Sequence, residues 1–262
     1  VVTGRHVLDR DRHLAGRDED RAADLQQAWC DPAVVAVLCA RGGSGATRLV
    51  DRLDWPAMRS AGPKLLVGSS DVTALQEAVA THLGLVSLFG PMPASEVFGG
   101  DDPDAATTEH LRRTLFEPER VTVIDGVATR AAVGGRATGV LTGGTLSLLA
   151  STVGTPESRP AAGGIAVLED VTERPYRIDA FLTQLLRTGW FDDVRGVVLG
   201  SWVGCGAAAV ETVCARLAGL AVPLLTGLAF GHGRPALTIP LGVEATLDAD
   251  AGTITLTGAA LA

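Results

Sequence analysis

The chain has 262 residues, and its 22 lysines and arginines against 30 aspartates and glutamates give a formal net charge of −8. This acidic balance argues against non-specific binding of nucleic acid, which requires a basic face to neutralise phosphates. Hydrophobic residues make up 47% of the chain, and no apolar run reaches the ~18 residues of a membrane span. We therefore expect one large or two small folded domains and no membrane partner.

Single residue types exclude several kinds of site. Lys64 is the only lysine, and it does not lie in the glycine-rich turn of a Walker A phosphate loop. The sequence contains no asparagine, which excludes a Cys-His-Asn site. The cysteines show neither a CxxC pair nor a histidine at zinc-ligand spacing, so we expect no metal site and reduced, mostly buried thiols in a cytoplasmic protein. They are Cys30, Cys39, Cys205 and Cys214.

The first residues carry no signal-peptide pattern, because the run Val1-Val2-Thr3-Gly4 has neither a charged nor an apolar segment behind it. The first strand pattern begins only at residue 33. Either the domain therefore starts late, or residues upstream of Val1 are missing from this chain.

Apolar runs alternate with helical patterns through the first half of the chain. The predicted helices are 18–29, a short helix ending at residue 53, 70–83 and 107–116, and the predicted strands are 33–40, 64–68 and 85–89. This alternation indicates a parallel sheet covered by helices. We predict an α/β domain over residues 1–120.

The second half is rich in glycine at first and then regular. Strands and their connections are predicted over 118–139, strands over 164–168, 194–202 and 223–230, helices over 177–191 and 207–220, and a β-hairpin over 243–257. We predict a mixed β/α domain over residues 121–262. The fold class is thus α/β, with a parallel-sheet domain followed by a mixed one.

Three polar residues follow strand-like runs, at the positions where ligands bind in open α/β sheets. Ser70 follows KLLVGS, Glu169 follows GIAVL, and His232 follows LLTGLAFG. A hydroxyl, a carboxylate and an imidazole are the parts of a serine-hydrolase triad. These positions therefore predict a nucleophile, an orienting acid and a base.

Ser70 lies between a predicted strand and a predicted helix, which is the setting of a nucleophile elbow. Gly68 would permit close packing, but the motif lacks the second glycine of GxSxG. The alternative is that Ser70 or Asp71 simply caps the helix.

His232 stands between Gly231 and Gly233, which would let the backbone turn and leave the ring accessible. Glu169 ends an apolar strand, where a buried carboxylate needs a partner. A structural ion pair of Glu169 with Arg174 or Arg177 is the alternative to a histidine partner. Asp170 and Glu173 are the competing carboxylates.

Two glycine-rich segments remain. The segment 41–45, RGGSG, has arginine where a dinucleotide loop needs its last glycine, but its backbone N–H groups could still line a site. The segment 143–147 is interpreted as a tight helix entry capped by Thr145.

Taken in order, six segments resemble the LD-carboxypeptidase family of serine peptidases, which includes murein tetrapeptide carboxypeptidases and the microcin C immunity proteins. They run through nearly the whole chain in the family's order. The segments are 16–54, 65–75, 90–92, 141–156, 166–191 and 230–242.

The resemblance implies a catalytic triad of Ser70, Glu169 and His232. The backbone N–H of Asp71, which follows the nucleophile, and that of Gly43 in the glycine-rich loop are the predicted oxyanion hole. It implies two domains with the site between them, no metal or cofactor, and commonly a homodimer. The implied reaction is hydrolysis of an L–D peptide bond through an acyl-enzyme. Its substrate would be a murein tetrapeptide that loses its terminal D-alanine during cell-wall peptide recycling.

The sequence departs from the family pattern at Ser44, where tyrosine is usual, and at Phe89, where many members have histidine. The family also opens with a strand and a helix ahead of residue 16, so the resemblance implies that this chain lacks the first strand of its N-terminal domain. Ser44 is a candidate substrate-binding residue, and Arg41 and Arg234 are candidates for binding the terminal carboxylate. Two alternatives to the carboxypeptidase remain open. One is a microcin C immunity-like hydrolase of acylated adenylate conjugates, and the other is a non-catalytic peptide-binding relative.

Overall fold

A computed structural model of the chain describes residues 1–99 and 102–261. The α-helices are α1 (Asp18–Cys30), α2 (Trp55–Ser60), α3 (Thr73–Leu83), α4 (Glu96–Gly99), α5 (Ala105–Phe116), α6 (Leu146–Ser151), α7 (Pro175–Arg187) and α8 (Ala209–Leu217). The strands are β1 (Ala36–Leu38), β2 (Leu65–Gly68), β3 (Ser87–Phe89), β4 (Val123–Asp125), β5 (Arg130–Val133), β6 (Arg136–Thr145), β7 (Gly164–Val171), β8 (Gly196–Val203), β9 (Leu224–Thr226), β10 (Ile239–Leu241), β11 (Glu244–Asp248) and β12 (Thr253–Leu256). No helix in these described ranges is long and apolar enough to cross a membrane.

The first sheet has the order β1-β2-β3-β10, and its first three strands are parallel. The predicted parallel α/β arrangement is therefore confirmed. Strand β10 was not predicted, because three residues around Pro240 offer no periodicity to read. It pairs antiparallel with β3, with Ile239 opposite Phe89, and so brings a segment from late in the chain into the first sheet. The division of the domains at residue 120 stays a prediction.

The second sheet has the order β4-β12-β11-β6-β7-β8-β9-β5. Its central strands β6 to β9 run parallel, and the flanking pairs are antiparallel, so the predicted mixed sheet is confirmed. The predicted hairpin is formed by β11 and β12, with Asp248 opposite Thr253.

The interpretation of residues 143–147 as a helix entry was wrong for the two glycines, because β6 runs on to Thr145, which is the N-cap residue of α6. The glycines allow neighbouring strands to approach closely. A Cβ on Gly139 would lie 2.6 Å from the Gly163 carbonyl oxygen. Helix α6 begins at Leu146, and the side chain of Thr145 makes no capping hydrogen bond to it.

Several predicted elements differ from the structure at one of their ends. Helix α7 stops at Arg187, and Trp190 and Phe191 leave the helix to pack edge-to-face in the core. Strand β9 stops at Thr226, because Gly227 takes a φ of 78°, which a strand does not accommodate. The predicted helix at 70–83 opens with a 3₁₀ turn over Ser70–Val72.

A buried apolar layer joins the two sheets where the candidate site residues converge. The rings of Phe89, at the end of β3, and Phe230, after β9, meet edge-to-face with centroids 6.1 Å apart. Edge-to-face packing is a favourable aromatic arrangement. This contact sets the end of the first sheet against the loop that contains His232.

A cavity of about 20 Å³, which is large enough for one water molecule, lies between helix α3 and the second sheet. Gln76 and Glu77 are buried there beside Thr142 and Arg159, and apolar residues such as Leu141 form most of the remaining lining. Within the described ranges, Glu77 Oε2 has no hydrogen-bond partner. Burial raises the pKa of Glu77 to about 7, although the charge of Arg159 acts in the opposite direction.

Replacement of Glu77 by glutamine is expected to remove a pH dependence of stability. A raised carboxyl pKa favours the folded state at low pH, and this stabilisation is lost as the pH rises from about 4.5 through about 7. The effect of Glu77→Gln on the free energy of unfolding should be more stabilising at pH 8 than at pH 4.5, by about 2–3 kcal/mol. Urea unfolding at both pH values measures this, with the exposed Glu119→Gln as the control. Equal pH slopes for the parent and Glu77→Gln would contradict the prediction.

Candidate active site

Ser70 lies in a strained turn between β2 and α3. Its φ is 61°, in the left-handed region that non-glycine residues rarely adopt. Strain of this kind persists where the surrounding structure enforces it, often at functional sites. Gly68 is required for the turn, because a Cβ there would lie 2.8 Å from the side chain of Val72. The half-buried hydroxyl of Ser70 is thus presented at the end of a strand.

The alternative interpretation was wrong for Asp71, because its side chain does not cap the following helix. Its Oδ2 accepts a hydrogen bond from the backbone N–H of Ala46 at 2.9 Å, and the carboxylate is buried. Burial raises the pKa of Asp71, while the N–H of Ala46 acts in the opposite direction. Asp71 therefore ties the Ser70 turn to the glycine-rich loop 42–46.

This loop passes directly over Ser70. A Cβ on Gly42 would lie 2.8 Å from Ser70 Cβ and 3.1 Å from its Oγ. Gly43 follows with a φ of 123°, a conformation in which glycine is strongly favoured. The two segments that supply the predicted oxyanion N–H groups, those of Asp71 and Gly43, are therefore adjacent.

The three candidate substrate-binding side chains are all exposed. Arg41 Nη1 donates to the carbonyl oxygen of Gly42 at 3.3 Å, and Ser44 lies two residues further along the same loop. Arg234 Nη2 donates to the carbonyl oxygen of Asp102. Their role in binding a substrate stays a prediction.

Glu169 is 0% exposed, near the end of β7, and its partner is His232. Glu169 Oε2 accepts hydrogen bonds from His232 Nδ1 at 2.7 Å and from the backbone N–H of His232 at 3.2 Å. In the described part of the chain, Glu169 pairs with neither Arg174 nor Arg177, and Arg177 pairs with Glu173 instead, at 2.5 Å. The competing carboxylate Glu173 is thereby accounted for.

Asp170 has a different task. Its Oδ2 accepts from the backbone N–H of Ser147 at 2.8 Å, at the start of α6, and its Oδ1 accepts from the N–H of Val171 at 2.9 Å. Burial raises the pKa of Asp170 to about 6, and the charge of Glu169 acts in the same direction. Asp170 thus holds the helix, while Glu169 holds His232.

The surroundings of His232 raise its pKa. Burial lowers the pKa of His232, but the hydrogen bond and the negative charge of Glu169 outweigh burial, and the net shift is upward. A buried carboxylate that orients one imidazole nitrogen leaves the other nitrogen to exchange protons with a nucleophile.

The sequence analysis did not identify the site contacts of two hydroxyl residues, Ser201 and Thr145. Ser201 lies on β8, beside an irregularity in the pairing of β8 with β7. Its backbone N–H donates to the carbonyl oxygen of Phe230, and its Oγ accepts from the N–H of Gly233, both at 2.9 Å. Thr145 Oγ1 donates to Glu169 Oε1 at 2.5 Å. Ser201 lies near the carboxyl end of the strand predicted over 194–202, so the rule that identified Ser70 could have identified it. Thr145 ends β6, which was not predicted beyond residue 139, so the rule could not have identified Thr145.

The Ser70 turn and the Glu169–His232 pair lie on different sheets. Within the ranges 1–99 and 102–261, no hydrogen bond joins the side chains of Ser70 and His232. The connection runs instead through Thr73, three residues after Ser70, whose Oγ1 accepts from the backbone N–H of Thr145 at 3.2 Å.

A separate group of possible metal ligands lies before and within α1, where ligand atoms of His6, Asp9 and Asp20 all lie within 4.8 Å of one another. Each carboxylate already has a partner, since Asp9 bonds His6 at 2.8 Å and Asp20 bonds Arg17 at 2.8 Å.

The four cysteines are free, and of these only Cys205 is buried, so the expectation of mostly buried thiols was wrong.

A serine in a strand-to-helix turn together with a buried Glu–His pair is the side-chain set of serine hydrolases. A family model of the LD-carboxypeptidase N-terminal domain matches residues 1–90, and one of the LD-carboxypeptidase C-terminal domain matches residues 138–247. The chain belongs to the LD-carboxypeptidase family, as its resemblance predicted.

Individual relatives agree with this assignment. SCO6489 of Streptomyces coelicolor, named as a candidate carboxypeptidase, is 57% identical over 99% of this chain and 84% of its own length. The murein tetrapeptide carboxypeptidase of Pseudomonas aeruginosa is 36% identical over 94% of this chain and 82% of its own. The crystal structure of muramoyltetrapeptide carboxypeptidase from Oxalobacter formigenes, at 35% identity, matches with a TM-score of 0.83 over 94% of this chain and 86% of that one. These relatives support a peptidase activity for the chain.

Proposed function

We propose that the chain is a serine LD-carboxypeptidase that releases the terminal D-alanine from murein tetrapeptides during cell-wall peptide recycling. The observation that carries the proposal is the hydrogen bond between His232 and the buried Glu169. In a chain of this family, the strained Ser70 turn supplies the matching nucleophile. The substrate class is that named for the Pseudomonas aeruginosa relative.

In the proposed reaction, His232 Nε2 accepts the proton of Ser70 as Oγ attacks the carbonyl carbon on the L side of the L–D bond. The N–H groups of Asp71 and Gly43 donate to the oxyanion. His232 then returns the proton to the leaving amine of D-alanine, which leaves an ester on Ser70. Water, deprotonated by His232, attacks that ester, and His232 then returns the proton to Ser70 Oγ as the shortened peptide leaves. Glu169 stabilises the imidazolium in both steps.

An exopeptidase must also bind the terminal carboxylate, and arginine does so in a bidentate manner. We propose Arg41 and Arg234 as the residues that bind this carboxylate. Ser44, in the same loop as Arg41, is a further proposed substrate-binding residue. The reaction as written requires no metal or cofactor. We further propose a cytoplasmic homodimer with the domains divided near residue 120.

The family also supports a second candidate, hydrolysis of acylated adenylate conjugates. The microcin C7 self-immunity protein MccF of Escherichia coli is 26% identical over 98% of this chain and 83% of its own length. The two candidates would share the triad and differ in the pocket, so a direct assay separates them.

The test is mass spectrometry of a murein tetrapeptide incubated with the parent, with Ser70→Ala, and with Ser60→Ala as a control on the exposed end of α2. The parent and Ser60→Ala should release one D-alanine, and Ser70→Ala should be at least ~10³-fold slower. Equal turnover by Ser70→Ala would reject Ser70 as the nucleophile.

The parent, Ser70→Ala and Ser60→Ala are also incubated with an aspartyl-adenylate conjugate. Cleavage of the conjugate without turnover of the tetrapeptide would favour the immunity-like hydrolase. Binding of the tetrapeptide without cleavage of either substrate would favour the non-catalytic relative.

A further inference from the structure

A buried series of hydrogen bonds connects the helix that follows Ser70 to the histidine on the other sheet. Thr73 Oγ1 accepts from Thr145 N, Thr145 Oγ1 donates to Glu169 Oε1, and Glu169 Oε2 accepts from His232 Nδ1. The three distances are 3.2, 2.5 and 2.7 Å. Thr73, Thr145 and Glu169 are all at most 2% exposed, so water does not compete for these bonds.

The backbone places Thr145 where it can make both of its bonds. Thr145 is the last residue of β6 and lies opposite Glu169 in the parallel pairing of β6 with β7. Gly144 precedes it with a φ of 140°, and a Cβ on Gly144 would lie 2.8 Å from both Cγ2 and Oγ1 of Thr73. The absence of a side chain at residue 144 therefore lets α3 approach the end of β6.

The carboxylate of Glu169 needs a donor on each oxygen, because a buried charge without hydrogen bonds is costly. His232 supplies two donors to Oε2, one from the ring and one from the backbone. Within the described ranges, Thr145 is the donor found on Oε1. Its hydroxyl therefore determines which way the carboxylate is turned.

We propose that Thr145 is a positioning residue that fixes the Glu169 carboxylate toward His232 and, through its backbone N–H, fixes this pair relative to the Ser70 turn. The inference rests on the proposed function, since it assigns Thr145 a role in that same site. Thr145 acts through Glu169, so its loss impairs the chemical step more than substrate binding.

The test compares Thr145→Val, which keeps the shape and removes the hydroxyl, with Thr145→Ser, which keeps the hydroxyl and removes a methyl group. Thr145→Val should lower kcat for D-alanine release about 10- to 100-fold with KM within about threefold, because small misplacements of catalytic groups cost this much. Thr145→Ser should stay within about threefold of the parent kcat.

The matched control is Thr152→Val, which removes another buried threonine hydroxyl, one that donates to the carbonyl oxygen of Leu149 at the end of α6. Its kcat should equal that of the parent. An unchanged kcat in Thr145→Val, or an equal loss in Thr145→Ser and Thr145→Val, would overturn the proposal.

A second readout separates this inference from the substrate assignment. Labelling of Ser70 by a fluorophosphonate requires an activated serine but no particular peptide. If the parent labels without releasing D-alanine, the substrate assignment fails, and slower labelling of Thr145→Val, restored in Thr145→Ser, would still support Thr145. If the parent neither labels nor cleaves, both proposals are overturned.

Discussion

Replacement of Glu169 by glutamine is expected to lower kcat for D-alanine release by about 10³- to 10⁴-fold. This is the size of the loss when the carboxylate of a Ser-His-Asp triad becomes an amide. Glutamine has the same size, and its amide oxygen can still accept from the backbone N–H of His232. The amide nitrogen can then face the hydroxyl of Thr145. The side chain keeps its place but loses the charge that stabilises the imidazolium.

The pH profile supplies an independent readout for Glu169→Gln. Below its pKa, His232 is protonated and cannot accept the Ser70 proton, so kcat/KM falls on the acid side. Burial lowers the pKa of His232, and in the parent the hydrogen bond and charge of Glu169 more than offset this effect. Removal of the charge should therefore move the acid limb of kcat/KM to lower pH.

Glu173→Gln is the matched control for this experiment, because it makes the same substitution four residues further along. Glu173 pairs with Arg177 and makes no contact with His232 in the described part of the chain. Its kcat and acid limb should match those of the parent. A Glu169→Gln enzyme with the parent's kcat would remove Glu169 from the proposed mechanism.

The three candidate triad residues could be located from the sequence because each follows an apolar run. The strand-end rule needs only local patterns, and β2, β7 and the segment before His232 all have them. The α/β class followed from the same alternation of patterns. The pairing of Glu169 with His232 rather than Arg174 or Arg177 could not be derived in this way, because the pattern left these partners equivalent.

Other features depend on contacts between distant segments and leave no local pattern. Asp71 is followed by a helix, so a cap was the local expectation, yet its carboxylate bonds Ala46, 25 residues earlier. Thr145 was interpreted as a cap for the same reason, yet its hydroxyl bonds Glu169. The second half of β6 was not predicted because its glycines weaken a strand in isolation, yet close neighbours such as the Val167 carbonyl beside Gly143 require them.

Replacement of Gly231 by alanine is expected to lower kcat about 10²-fold or more and to lower the melting temperature by several degrees. Gly231 has a φ of 95°, and alanine in this left-handed region costs about 1–2 kcal/mol. A Cβ at this position would also overlap the carboxylate of Glu169. The carboxylate would have to move, and the hydrogen bond from His232 would be lost or lengthened. The chemical step should therefore suffer beyond the effect of backbone strain.

Variants of two other glycines distinguish the effect of backbone strain from that of steric overlap with the Glu169 carboxylate. Gly163 has a φ of 70° but open space around a Cβ, so Gly163→Ala should lose stability and keep the parent kcat. Gly219 has open space and a φ outside the left-handed region, so Gly219→Ala should change neither quantity. Thermal unfolding and D-alanine release are measured for all three variants. If Gly231→Ala behaved like Gly163→Ala, with reduced stability and full kcat, the carboxylate of Glu169 would not need the position that the structure gives it. The proposed role of Glu169 in orienting His232 would then be wrong.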